Sequence, residues 1–187
     1  IIDVGGGLGV KYKENETPID VKKYGKLLSE KLGELGCKVI IEPGRFLTAN
    51  AGILVTKILH IKKSDIKNFV IVDAGMNDFI RPTLYGAHHN IIPLKEPGKL
   101  ENLKCDIVGP VCETGDFFAK DIDLQDINED DFLAICSTGA YGSVQSSNYN
   151  TRASIDELLI NKGEYEIIRK RINEDIIIDK DIISKWV

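Results

Sequence analysis

Lys38-Val39-Ile40-Ile41-Glu42-Pro43-Gly44-Arg45 is the stretch on which the reading of the fold turns. Val39, Ile40 and Ile41 form an apolar run too short for a helix, written as a strand covered on both faces is written. Pro43-Gly44 stops the run, and an acid and a base, Glu42 and Arg45, bracket the turn. Upstream, Thr17-Pro18 is predicted to open a helix, with Thr17 as N-cap, Pro18 at the first helical position and Asp20 in the first turn. Tyr24, Leu27, Leu28, Leu32 and Leu35 recur at helical spacing on one face, and Gly36 supplies the left-handed residue that ends it. Before that helix, Ile1-Ile2-Asp3-Val4 is a second short apolar run, closed by Gly5-Gly6-Gly7. Strand, glycine loop, helix and strand make a βαβ unit with parallel strands. Ligands of such units sit beyond the carboxyl ends of the strands, so the glycine loop and Glu42–Arg45 should converge on one rim. A chain opening at Ile1 inside a buried strand, without an initiator Met, reads as the C-terminal part of a longer polypeptide.

After about Ala51 the pattern changes. Residues 53–62, 69–73, 89–94, 103–108 and 132–137 read as strands separated by Gly, Pro and Asp turns, and 157–160 and 164–169 flank Asn161-Lys162-Gly163 as a hairpin. This predicts an antiparallel β-domain, sandwich or barrel, over 51–187, appended to an α/β portion over 1–50. The acidic run 121–131 is predicted to be a solvated loop and 173–187 a terminal helix. Bulk composition narrows the function classes. With 24 basic against 29 acidic residues the net charge is −5 and no basic block stands out, which argues against nucleic acid or an anionic membrane as the main partner. No apolar run is long enough to cross a bilayer and no signal-peptide pattern is present. Four cysteines without a Cys-x-x-Cys pair and three histidines indicate neither a disulfide framework nor a zinc site, so reduced thiols in the cytoplasm are expected.

Three further segments carry chemistry. Gly109-Pro110-Val111-Cys112-Glu113-Thr114-Gly115-Asp116 crowds a thiol and two acids onto one tight loop, which taken alone reads equally as a binding or catalytic surface and as a connecting turn with a half-buried cysteine. Met76-Asn77-Asp78-Phe79-Ile80-Arg81-Pro82-Thr83-Leu84-Tyr85-Gly86-Ala87-His88 places Arg81 four residues before Tyr85, on one face of a helical turn, a pairing suited to a carboxylate and equally to a surface Arg packed along a Tyr ring. His88 and His89 are expected to be structural or merely exposed, without a metal role. Gly139-Ala140-Tyr141-Gly142 sets a tyrosine between small residues, able to project its hydroxyl into a pocket or to sit in the core.

In this order, Gly5-Gly6-Gly7, Glu42-Pro43-Gly44-Arg45, Cys112-Glu113-x-x-Asp116 and Gly139-Ala140-Tyr141 resemble the C-terminal half of the pyridoxal-phosphate-dependent decarboxylases built on the alanine-racemase barrel. The resemblance runs from Asp3 to about Arg169. The 76–88 segment and Cys112-Glu113, where the ornithine-type branch has Cys-Asp, are similar to the branch acting on meso-diaminopimelate. The fold implied is the last part of a (β/α)8 barrel followed by a β-domain. The resemblance implies that Gly5, Gly6, Gly7, Gly44, Arg45 and Tyr141 hold the cofactor pyridoxal phosphate, with Glu42 at its pyridine nitrogen. It further implies that Arg45, Arg81, Tyr85 and Tyr141 bind substrate, Glu113 binds its distal ammonium, and Cys112 donates a proton. In relatives the cysteine loop crosses a homodimer interface into the partner's site. The family's Schiff-base lysine and ring-stacking histidine belong to the N-terminal barrel half, which has no counterpart in this sequence, so the piece alone is expected to be inactive. Carboxynorspermidine, ornithine or arginine remain alternative substrates, and a non-catalytic binding relative remains an alternative class.

Overall fold

A computed structural model describes residues 1–13, 15–96 and 102–186. Strand β1 (Ile2–Asp3) pairs in parallel with β2 (Val39–Ile40), with Ile2 opposite Val39 and Asp3 opposite Ile40, across the helix α1 (Val21–Leu32). The βαβ unit read from the sequence is therefore present. Its helix starts later than expected, because Asp20 and not Thr17 is the N-cap. The Asp20 carboxylate accepts the amides of Lys22 and Lys23, both at 3.0 Å, and a carboxylate capping two free N–H groups also meets the positive end of the helix dipole. A 3-10 turn, Gly33–Leu35, continues α1, and Gly36 at φ 60° ends it. No residue of α1 is buried, so among the described residues its apolar face lacks a covering layer.

A short helix, α2 (Gly44–Thr48), leads into a six-stranded sheet of β3 (Leu54–Lys62), β4 (Asn68–Val72), β5 (Ile91–Pro93), β6 (Asn102–Val108), β7 (Phe117–Gln125) and β8 (Phe132–Ile135). The spatial order is β5-β8-β3-β4-β6-β7. The two edge strands, β5 and β7, contact each other, so the sheet curls into a nearly closed, barrel-like form. The fully antiparallel expectation needs one correction: β4 and β6 run parallel, Asn68 facing Cys105. The chain between them travels to the far edge to lay down β5 and returns, and that long crossover reverses the direction a hairpin would impose. Inward residues alternate as a half-buried strand requires; in β3, Leu54, Thr56 and Ile58 point in while Val55 and Leu59 point out. They meet Val70, Val72, Phe79, Ile107, Phe118, Leu133 and Ile135 in one core.

The acidic stretch 121–131 is a loop only in its second half. Residues 121–125 complete β7, where Ile122 and Leu124 turn inward and Asp121 and Asp123 stay at the surface. A register shift accompanies Asp121 at φ 54°, whose amide donates to the buried Asp106 at 2.8 Å. Beyond the sheet, β9 (Glu157–Asn161) and β10 (Glu164–Arg169) form the expected hairpin. Lys162 and Gly163 at φ 51° and 86° supply the two left-handed residues of a type I′ turn. The terminal helix, α4 (Glu174–Ile178), is shorter than predicted, and residue 187 lies outside the described residues. No helix among the described residues is long and apolar enough to cross a membrane.

Candidate active site

Between β4 and β5 the chain makes one helical turn, α3 (Arg81–Tyr85), stopped by Gly86 at φ 60°. The i,i+4 spacing brings Arg81 to Tyr85 as read from the sequence, the guanidinium carbon lying 6.0 Å from the ring centre. The same carbon lies 5.5 Å from the Tyr141 ring and 5.8 Å from Tyr12. Arg81 is 6% exposed, its Nε has no acceptor, and among the described residues no carboxylate lies within ion-pair distance of it. Arg45, on α2, stands 5.8 Å from the centre of the same Tyr141 ring. Two cations thus share one tyrosine.

The backbone explains how residues so distant in sequence meet. After β8 the chain turns back against α2: the amide of Thr138 donates to Gly52 O at 2.9 Å and that of Gly139 to Ala49 O at 3.0 Å. A side chain at position 139 would run into the Thr48 carbonyl, so only glycine allows this approach. Tyr141 follows at φ 62°, held over Arg45 by the turn. On the opposite rim, the Glu42 amide donates to Gly5 O at 2.8 Å, and a Cβ on Gly6 would sit 2.5 Å from Glu42 O. The glycine loop and the Glu42–Arg45 turn therefore form one continuous edge, as the parallel pairing predicted. The Gly5 amide is bonded to Asp3 and the Gly44 amide to Glu42 O, whereas those of Gly6 and Gly7 have no acceptor among the described residues. Glu42 is exposed, and its carboxylate makes no ion pair among the described residues. An open cleft of about 600 Å³ runs beside this edge, lined by Gly9, Val10, Tyr12, Glu16, Ile19 and Arg45 among others.

The cysteine loop has a different internal logic. Asp116 is buried and accepts the amides of Met76 at 2.7 Å and Val111 at 2.6 Å. Burial pushes its carboxyl above the usual range, against the pull of those two donors. Asp116 is a brace, whereas Cys112 and Glu113 are exposed, Glu113 accepting from the Gly115 amide at 3.4 Å and the Tyr149 hydroxyl at 3.5 Å. The Thr83 hydroxyl donates to the Gly115 carbonyl and ties the loop to α3. Positions 81 and 83 on a helix point about 200° apart. Among the described residues no hydrogen bond, ion pair or ring contact joins Cys112 or Glu113 to Arg81. The sequence candidates therefore fall into two groups: Arg45, Arg81, Tyr85 and Tyr141 together, and Cys112 with Glu113 apart from them.

Tyr12 and Arg152 join the site without a local sequence signal. Tyr12 backs Arg81, yet in sequence it sits between two lysines and reads as surface. Arg152 donates from Nε to Asn77 Oδ1 at 2.8 Å and from Nη2 to the Asp73 carbonyl at 2.7 Å, with Asp78 at 3.9 Å. Asn77 and Asp78 are buried, so this network pins the approach to α3 from a position at least 74 residues downstream of its partners, which no local pattern signals. His89 is buried, its Nδ1 2.9 Å from the Cys136 carbonyl, and is structural as expected; His88 is exposed.

Known proteins resemble this chain in sequence and fold. Residues 9–139 match the family described as pyridoxal-dependent decarboxylase, C-terminal sheet domain. Diaminopimelate decarboxylase of Aquifex aeolicus is 44% identical over 181 residues, covering 97% of this chain and 43% of that protein. The crystal structure of diaminopimelate decarboxylase from Helicobacter pylori, complexed with L-lysine, superposes with a TM-score of 0.87 at 44% identity, covering 95% of this chain and 43% of that one. The enzyme from M. jannaschii in co-complex with L-lysine gives 0.93 at 35% identity, covering 98% and 43%. The chain thus spans less than half the length of these relatives. It belongs to the pyridoxal-dependent decarboxylase family, whose C-terminal sheet domain it contains.

Proposed function

We propose that this chain is the C-terminal part of an enzyme that decarboxylates meso-2,6-diaminopimelate to L-lysine and CO2 with pyridoxal phosphate, and that the working unit is a cytoplasmic homodimer. Residues 1–50 complete a (β/α)8 barrel whose earlier strands belong to the rest of the polypeptide, and 51–187 form the β-domain. The observation that carries the reading is the pair Arg81 and Arg45 around Tyr141, with Arg81 buried and lacking an anionic partner among the described residues. A buried cation of that kind is stable only if an anion or aromatic faces satisfy it, and it suits a substrate carrying a second carboxylate. Diaminopimelate has an amino-acid centre at each end, and only one reacts.

The residues present fit the cofactor. Gly6 approaches the Glu42 carbonyl too closely for any side chain and, with Gly7, offers two uncommitted amides at the strand rim, as a phosphate requires. Glu42 would face the pyridine nitrogen and keep it protonated, and Gly5, Gly44, Arg45 and Tyr141 would complete the surround. When bound, pyridoxal phosphate supplies the electron sink for the pair released as CO2 departs. The chain's own side chains do the rest. Arg45, Arg81 and Tyr85, with Tyr141, hold the non-reacting carboxylate and so fix which end reacts. Cys112 donates the proton to the carbon that has lost CO2, and Glu113 binds the distal ammonium. The loop bearing Cys112 and Glu113 is exposed and has no contact with Arg81 among the described residues, which supports its serving the partner subunit's site.

Steady-state assays of the full-length enzyme on meso-diaminopimelate, carboxynorspermidine, ornithine and arginine test the proposal. Release of L-lysine and CO2 from diaminopimelate is expected, with little turnover of the other three. Turnover of ornithine without turnover of diaminopimelate would overturn it.

A further inference from the structure

Tyr12 differs from the other two rings around Arg81 in having a backing of its own. His89 stands edge-on to it, ring centres 5.0 Å apart and planes at 74°. Phe79 stands edge-on to His89 at 4.6 Å and 84°. His89 is anchored through Nδ1 to the Cys136 carbonyl just past β8, and because a carbonyl only accepts, the proton is on Nδ1. A continuous stack therefore runs from the end of β8 through His89 and Tyr12 to the Arg81 guanidinium. His89 is 1% exposed, and burial foremost, with the Arg81 charge adding to it, lowers its pKa to about 4. The imidazole is neutral at physiological pH and adds no second cation beside Arg81. Tyr12 also lines the open cleft, so the ring joins the buried cation to the solvent-accessible side of the site.

We propose that Tyr12 and His89 are positioning residues for Arg81: the imidazole, locked by the Cys136 carbonyl and Phe79, props the Tyr12 ring against the guanidinium and confines it between Tyr12 and Tyr141, ready for a carboxylate. A guanidinium with no carboxylate to orient it, on a flexible stem, needs such walls to keep its fork in one place. The inference rests on the reading of Arg81 as receptor for the substrate's far carboxylate. It assigns Tyr12 a role through its ring and not through its hydroxyl.

The test uses the full-length enzyme carrying Tyr12→Leu, Tyr12→Phe or His89→Asn, with circular dichroism to verify folding. Asn retains a donor for the Cys136 carbonyl and removes the ring edge. Tyr12→Leu and His89→Asn should each raise KM for meso-diaminopimelate about tenfold with kcat within about threefold, while Tyr12→Phe keeps KM within about twofold of wild type. A folded Tyr12→Leu enzyme with unchanged KM, or a Tyr12→Phe enzyme as impaired as Tyr12→Leu, overturns the role. If Tyr12→Leu does not fold, His89→Asn decides by the same split between KM and kcat. The two proposals fail separately: absence of wild-type turnover overturns the substrate reading, whereas wild-type turnover with KM raised by Arg81→Lys but not by Tyr12→Leu overturns the stack alone.

Discussion

Asp116 and Glu113 stand three positions apart on one loop and have opposite fates. Asp116 faces inward onto the amides of Met76 and Val111, and removing its carboxylate leaves both donors buried and unpaired. Asp116→Ala should lower the unfolding free energy by about 2–4 kcal/mol, read from urea denaturation. Glu113 faces solvent, and its loss should leave stability unchanged. If it binds the substrate's distal ammonium, Glu113→Gln should cut kcat/KM for diaminopimelate about 10- to 100-fold, the worth of one hydrogen bond to a charged group. The two substitutions thus separate a brace from a ligand on the same loop. Which acid was which did not follow from the sequence, since Cys112-Glu113-x-x-Asp116 names both without showing which way either points.

At the scale of elements, the close approach of the 138–142 turn to α2 decides whether Tyr141 reaches Arg45. Gly139→Ala would drive a methyl group into the Thr48 carbonyl. The turn must then lift, and an overpacked contact of this kind should destabilise the protein by about 1–3 kcal/mol, seen as a lower thermal midpoint. The element pattern itself was largely legible. Period-3.6 spacing marks α1, a run rich in β-branched residues marks β3, and Asn161-Lys162-Gly163 marks the hairpin, because each depends on neighbours within a few residues. The first half of the acidic run 121–131 is a strand although it is acidic, because Ile122 and Leu124 alternate with the exposed Asp121 and Asp123. Thr17-Pro18 carries a helix-start signal, yet the Asp20 carboxylate, which accepts two amides, sets the actual start.

For the whole molecule, buried His89 makes a pH prediction. Its pKa falls from the ordinary 6.5 to about 4 on folding, so the unfolded chain takes up a proton that the folded chain refuses. The stability linked to this group is intact above pH 6.5 and is lost progressively as pH falls toward 4. Denaturant midpoints should decline over that window, and His89→Asn should flatten the decline. A shared active site makes a second prediction. Mixing a Cys112→Ala dimer with one lacking the barrel lysine should restore activity to about a quarter of wild type, since half the dimers are mixed and each holds one intact site. Subunit exchange without recovery would count against sharing.

The sequence by itself determined the parallel βαβ start, the strand-rich remainder, the i,i+4 pairing of Arg81 with Tyr85 and the ordered motifs that carry the family resemblance. These are short-range properties, set by backbone preference and by the alternation of apolar and polar side chains. Only the tertiary structure decided that Arg45 and Arg81 share Tyr141, that β4 runs parallel to β6, that Asp116 braces while Glu113 is exposed, and that Tyr12 and His89 stand behind Arg81. Each of those depends on how far a crossover carries the chain and on where Gly52 and Gly139 let two backbones touch. Contacts made through closure of the sheet have no period and no fixed spacing, so nothing local in the chain records them.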